Sequence, residues 1–241
     1  MIVAEAWLRR YRTVPAARLR LVCFPYAGAA ANIFRLWHKA LPDDVEVVAI
    51  QYPGRQDRLA EPPVDVMDVL ADHVAEAVDQ LPECPTVLFG HSMGSSVAYE
   101  VLPRLAAVPR LLVVSGGSAP HRAMAKPVPG TEDDVLAEVR EVAGPHEALA
   151  DPELRALAMP ALWADYRLIR GYLPRPEAQP VAVPIVGYAG LDDPTASPER
   201  VRGWAELTTA GFELVSFPGG HFFLESANDA VLADLAGRLS T

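Results

Sequence analysis

Apolar positions along the chain fall into two alternating kinds of run. LRLVCF (19–24), VEVVAIQY (45–52), TVLFG (86–90) and RLLVVSGG (110–117) are short and rich in β-branched or aromatic residues, and read as strands. ANIFRLWHKAL (31–41), VDVMDVLADHVAEAVDQL (64–81) and MGSSVAYEVLPRL (93–105) are longer and carry apolar residues at helical spacing. In the second of these, Val66, Val69, Leu70, His73, Val74, Ala77, Val78 and Leu81 form one stripe. Pro25 closes the first strand, and Pro53-Gly54 the second. A strand–helix–strand rhythm of this kind predicts a parallel sheet with helices on both faces.

The rhythm breaks between 121 and 180, where no strand pattern occurs. Thr131–Asp134 has the form of a capping box, and Asp151-Pro152 that of an N-cap with proline in the first turn. MPALWADYRLIRGY (159–172) is a third helical piece. Sixty helical residues exceed a connection, so the segment is expected to be a lid or small subdomain. PIVGYAG (184–190) and FELVSF (212–217) then resume the sheet, with helices over SPERVRGWAEL (197–207) and ANDAVLADLAGRL (227–239). The expected fold is α/β: a mostly parallel twisted sheet of six strands, with core residues 1–120 and 181–241 and a helical insertion over 121–180.

Composition agrees with a folded domain: 51% of the 241 residues are hydrophobic and 22% charged. Mean hydropathy is +0.13, and no apolar run reaches membrane-spanning length. The first residues, MIVAEAWLRRYRTVP, do not read as a signal peptide, so the expected location is the cytoplasm. Twenty-one basic against 31 acidic residues give −10, which argues against nucleic acid or an anionic membrane as the main partner. Cys23 and Cys84 are too few and too ill-placed for a disulfide framework or metal site, and read as free thiols.

The sharpest local signal is Gly90-His91-Ser92-Met93-Gly94, between a strand and a helix. A serine in such a strand–turn–helix is presented above the carboxyl edge of the sheet at a helix N-terminus, a nucleophile elbow. A serine hydroxyl needs a base. Of six histidines, His38 and His73 fall in predicted helices, His91 is expected to point away from the active face, and His121 and His146 lie in the insertion. His221, after the last strand in Pro218-Gly219-Gly220-His221, is the expected base. The base needs a carboxylate to hold its tautomer. SGGSAP after the fourth strand has no acid, whereas Ala189-Gly190-Leu191-Asp192-Asp193-Pro194 has two. Asp193 is favoured over Asp192. The order Ser92, Asp193, His221 is that of an α/β hydrolase. Oxyanion donors are expected at the backbone N–H of Met93 and of Ala27, in the small-residue loop after the first strand.

With these residues in view, the chain resembles the stand-alone type II thioesterases of polyketide and nonribosomal peptide assembly lines. The likeness is carried by Phe24-Pro-Tyr-Ala-Gly28, Gln51-Tyr-Pro-Gly-Arg-Gln-Asp-Arg58, the elbow, Met159-Pro-Ala-Leu-Trp-Ala-Asp-Tyr166, Gly190-Leu-Asp-Asp-Pro194 and Pro218-Gly-Gly-His-Phe-Phe-Leu224. It implies hydrolysis of aberrant or stalled acyl groups from the phosphopantetheine thiol of acyl or peptidyl carrier proteins, through an acyl-serine intermediate. A general carboxylic ester hydrolase or a product-releasing thioesterase is the alternative. No metal or cofactor of its own is expected, since the substrate brings the phosphopantetheine arm, and a monomer is expected. The resemblance also makes the insertion a lid over an acyl chamber. Tyr26, Leu162, Trp163 and Tyr166 are the expected substrate-binding residues, with Leu136, Val139 and Ile169 as further candidates for its inner surface. Carrier proteins are usually acidic, so Arg55 with Arg58, or Arg167, Arg170 and Arg175, are candidates for a docking patch.

Overall fold

The computed structural model describes residues 4–143 and 147–240; His146 lies outside them. Seven strands form one sheet: β1 (Leu8–Arg10), β2 (Leu19–Phe24), β3 (Val45–Ile50), β4 (Thr86–His91), β5 (Leu111–Ser115), β6 (Ile185–Gly190) and β7 (Phe212–Phe217). Their order is β1-β3-β2-β4-β5-β6-β7. Strands β2 to β7 pair in parallel and β1 joins the edge antiparallel to β3. The expected six parallel strands are present. The seventh, β1, was not predicted: three residues are too few for an alternation to register. Every residue of β2, β3 and β6 is buried, as expected of strands covered on both faces.

Two apolar layers cover the faces. One packs α1 (Met67–Asp79) and α2 (Met93–Val101) against Val22, Phe24, Val48, Leu88 and Val114. The other packs Phe34, Trp37 and α6 (Asn228–Leu239) against Leu21, Cys23, Val47 and Phe89. Between β5 and β6 lie α3 (Glu132–Ala143) and α4 (Pro152–Tyr172), joined by a small core of Val135, Leu136, Val139, Met159, Leu162 and Tyr166. Both expected caps are seen. Thr131 Oγ1 accepts from Asp134 N (3.2 Å) while Asp134 Oδ2 accepts from Thr131 N (2.8 Å), and Asp151 Oδ1 accepts from the N–H groups of Glu153 and Leu154. The end of α4 is moored to α2: Tyr172 Oη donates to Glu100 (2.9 Å), and Arg175 also pairs with Glu100 (2.8 Å).

Four expected helical pieces take another form. The 31–41 stretch is not one α-helix but two 3₁₀ turns, Ala31–Phe34 and Trp37–Lys39. Within these turns the buried residues Ala31, Phe34 and Trp37 recur every third position, and three residues per turn puts them on one face, toward the sheet. The pieces beginning at Asp151 and Met159 are a single helix running through the exposed Pro160. The 197–207 helix is α5 (Pro198–Arg202) followed by 3₁₀ turns over Gly203–Leu207.

The chain leaves β2 toward β3 on one side and leaves β4 toward β5 on the other. This is a topological switch point, and at its carboxyl edge the two departing loops leave a crevice between them. The loop 25–29 and the elbow at Ser92 form that crevice.

Candidate active site

The elbow is built by exclusion of side chains. A Cβ at Gly90 would stand 2.1 Å from the Gly94 carbonyl oxygen, and one at Gly94 would stand 2.2 Å from that of Phe24. Between them Ser92 takes φ 53° and ψ −118°, a strained backbone for a residue with a side chain. The strain is held by hydrogen bonds: Ser92 N donates to Ser115 O (2.7 Å), and Ser95 Oγ donates to Gly90 O (2.8 Å) and accepts from Ser115 N (3.1 Å). Ser92 thereby sits at the N-cap of α2, where the helix dipole favours developing negative charge.

Residues distant in sequence meet over this turn. His221 Nε2 is 2.9 Å from Ser92 Oγ, and His221 Nδ1 is 2.7 Å from Asp193 Oδ2. It is Asp193, 3% exposed, that faces the imidazole, while the neighbouring Asp192 is exposed to solvent. The loops approach closely because Gly190 has no side chain: a Cβ there would lie 2.4 Å from the Gly220 carbonyl oxygen. Asp193 Oδ1 accepts from the N–H groups of Thr195 (2.8 Å) and Ala196 (2.9 Å) and from Thr195 Oγ1 (2.9 Å). Burial raises the carboxyl's pKa, but the hydrogen bond and charge of His221 and these N–H donors outweigh it and hold it at about 2. Asp193 is thus anionic at neutral pH. With Nδ1–H donating to it, His221 presents Nε2 as an acceptor to the serine hydroxyl.

His91 lies in the elbow as a fully buried ring, with Nδ1 2.9 Å from Ser115 Oγ and its centroid 5.3 Å from that of His221. Burial first, and the nearby His221 second, depress its pKa well below the ordinary range, so it stays neutral. Gly116 makes room for it, since a Cβ there would be 2.7 Å from His91 Cε1.

A cavity with about 1040 Å³ of space, its open mouth included, rises above Ser92. Tyr26, Ala27, Ser92, Met93 and His221 line its floor, and Tyr166 and Ile169 of α4 its roof. Leu162 and Trp163 do not line it. Leu162 packs down on Gly28, and Trp163 lines a separate open hollow with Pro63, Asp65 and Met159. Leu136 and Val139 face Leu162 and Tyr166 within the small helical core. Helical spacing marked these side chains as inward-facing but could not say whether inward meant cavity or packing.

The expectation that Arg55 and Arg58 form a docking patch is corrected. They are 7% and 6% exposed. Arg55 makes a two-pronged ion pair with Asp165 (2.7 and 2.8 Å), and Arg58 pairs with Glu61 and stacks over Trp7 at 4.3 Å. Arg167, Arg170 and Arg175 pair with Asp65, Glu138 and Glu100. Two site features escaped the sequence reading. Thr195 could have been found, because Asp193-Pro194-Thr195 is an Asx-turn pattern. The Arg55–Asp165 pair, 110 positions apart, left no local signal.

A parallel sheet with a Ser–His–Asp row over its switch point defines an α/β hydrolase. More narrowly, the model of the Thioesterase domain family matches residues 19–239, and the chain belongs to that family as a thioester hydrolase. It is 41% identical over 98% of its length to a Streptomyces griseus protein described as "Probable cadicidin biosynthesis thioesterase", of which it spans 66%. It is 38% identical over 97% of its length to Thioesterase PikA5 of Streptomyces venezuelae, spanning 85% of that protein. Among solved structures it resembles the type II thioesterase BorB from the borrelidin biosynthetic cluster. The TM-score is 0.85 at 35% identity, covering 98% of this chain and 97% of that one. Among the described residues no helix is long and apolar enough to cross a membrane, and no cluster of three or more His, Cys, Asp or Glu could hold a metal.

Proposed function

We propose that this protein is an editing thioesterase. It hydrolyses stalled or aberrant acyl groups from the phosphopantetheine thiol of acyl or peptidyl carrier proteins in polyketide or nonribosomal peptide assembly. The observation that carries the chemistry is the 2.9 Å approach of His221 Nε2 to Ser92 Oγ, with His221 held by Asp193 at 2.7 Å. The near end-to-end likeness to BorB supports the substrate class.

Each step is assigned to a named group. His221 Nε2 takes the Ser92 proton as Oγ attacks the thioester carbonyl. The developing oxyanion meets the backbone N–H of Met93 at the start of α2 and that of Ala27 across the crevice, each such donor contributing about 3 kcal/mol. The imidazolium, stabilised by Asp193, returns its proton to the departing thiol. A water deprotonated by His221 then releases the acid. The helices over 121–180 act as the lid, with Tyr166 and Ile169 against the acyl chain. The protein needs no metal or cofactor of its own, because the scissile thioester arrives on the carrier's arm.

The test compares hydrolysis of acyl-carrier protein, acyl-N-acetylcysteamine and p-nitrophenyl esters by the native enzyme and Ser92→Ala. The expected order is carrier thioester first and simple ester last, with loss of all three in Ser92→Ala. A preference for simple esters would overturn the substrate assignment. Undiminished hydrolysis by Ser92→Ala would overturn the site.

A further inference from the structure

A buried polar cluster outside the Ser–His–Asp row lies between α4 and the loop after β2. Asp165, 1% exposed, carries three hydrogen bonds on two oxygens: Oδ2 accepts from Gly28 N (2.7 Å) and Arg55 Nη1 (2.7 Å), and Oδ1 accepts from Arg55 Nη2 (2.8 Å). Arg55 Nη1 also donates to Ala29 O (3.0 Å), and Arg55 Nε to Pro53 O (3.3 Å). Gln51 extends the grip, accepting from Ala31 N (2.9 Å) and donating to Arg55 O (3.1 Å). The ion pair thus holds the 27–29 loop by the N–H of one residue and the carbonyl of the next.

That loop needs holding. Gly28 has φ +79°, a conformation open to glycine, and a Cβ there would stand 2.5 Å from Leu162 Cδ2. A glycine beside an oxyanion donor is a hinge with little stiffness of its own. Oxyanion donors act only within about 2.7–3.1 Å of the developing charge, so a small swing of this loop matters. A fork-to-carboxylate pair fixes direction as well as distance. Asp165 rides on the same helix as Leu162, which covers Gly28, and Tyr166, which roofs the cavity.

We propose that Arg55 and Asp165 are positioning residues for thioester hydrolysis: their buried pair sets the 27–29 loop, so that seating of α4 and alignment of the Ala27 N–H occur together. This rests on the reading of Ala27 as an oxyanion donor given above.

The experiment uses Asp165→Asn, Arg55→Lys and the apolar double variant Arg55→Met/Asp165→Leu, which leaves no buried charge unpaired. Turnover of acyl-N-acetylcysteamine is measured beside the affinity of an alkyl boronic acid, whose tetrahedral adduct on Ser92 places an oxygen among the oxyanion donors. Folding is checked by circular dichroism and thermal melting. In folded variants kcat falls about 10- to 100-fold, below the full loss of a donor, with KM within threefold and boronate affinity falling in parallel. Should Asp165→Asn not fold, Arg55→Lys and the double variant give the answer. A folded variant with kcat within twofold of native overturns the proposal, as does a loss confined to KM with boronate affinity unchanged. Ser92→Ala runs alongside. If it is inactive while the pair variants turn over normally, only the positioning role is lost. If Ser92→Ala is active, the reading of the site itself fails.

Discussion

Gly94 lies directly beneath Phe24: a Cβ on residue 94 would stand 2.2 Å from the Phe24 carbonyl oxygen and 2.7 Å from that of Pro25. The start of α2 and the end of β2 are thereby pressed together, which brings the Met93 and Ala27 backbones to one crevice.

Gly94→Val should therefore damage fold and elbow together, because the obstruction is backbone and cannot rotate away. Overpacking in a core typically costs about 1–3 kcal/mol, and the loss here should lie at or above the top of that range. Thermal melting and soluble yield read it; a stable, fully active variant would contradict the close approach.

Asp193→Asn should lower kcat by about 10⁴-fold, as loss of the tautomer-holding carboxylate does in serine hydrolases. Asp192→Asn, at an exposed position, should stay within a few-fold of native. Steady-state kinetics on acyl-N-acetylcysteamine separates the two, and the reverse ranking would move the acid by one residue.

The lowered Asp193 pKa also predicts an acid limb in stability. A carboxyl at about 2 in the fold against 3.8 unfolded stabilises the native state fully above pH about 4, by roughly 2 kcal/mol, and loses that contribution as pH falls through 2. Urea unfolding of native protein and Asp193→Asn between pH 6 and 2 should show the native advantage shrink with acid. A gap independent of pH would remove the assignment.

Arg58→Ala should act on stability rather than on carrier recognition. Its guanidinium donates to Gln51 O (2.8 Å), pairs with Glu61 and covers Trp7. Losing these contacts should cost about 2 kcal/mol, while KM for an acyl-carrier protein at low temperature stays near native. A specific rise in KM without destabilisation would return Arg58 to the docking surface.

Ile169→Ala should shift the acyl-length profile toward longer or bulkier chains, whereas Trp163→Ala should leave it unchanged, since only Ile169 borders the cavity above Ser92. A competition assay over a series of acyl-N-acetylcysteamines measures both. A profile moved by Trp163 alone would show that the chamber extends elsewhere.

What sequence alone determined here was whatever short-range chemistry enforces. Buried parallel strands read as apolar runs because both their faces are covered. The elbow read as a motif because its two glycines and its serine lie within five residues. The Thr131–Asp134 and Asp151 caps announced themselves through side chains that reach only the next turn. The row Ser92, Asp193, His221 was legible because each residue follows a strand, and parallel strands deliver their ends to one edge. Tertiary structure decided the rest. Period-three burial turned 31–41 into 3₁₀ turns, and contact with Gly28 took Leu162 out of the cavity. Arg55 met Asp165 across 110 residues and became an internal strut instead of a surface charge. Such outcomes depend on which surfaces the folded chain brings within a few ångströms, and neither charge nor spacing along a polypeptide encodes that locally.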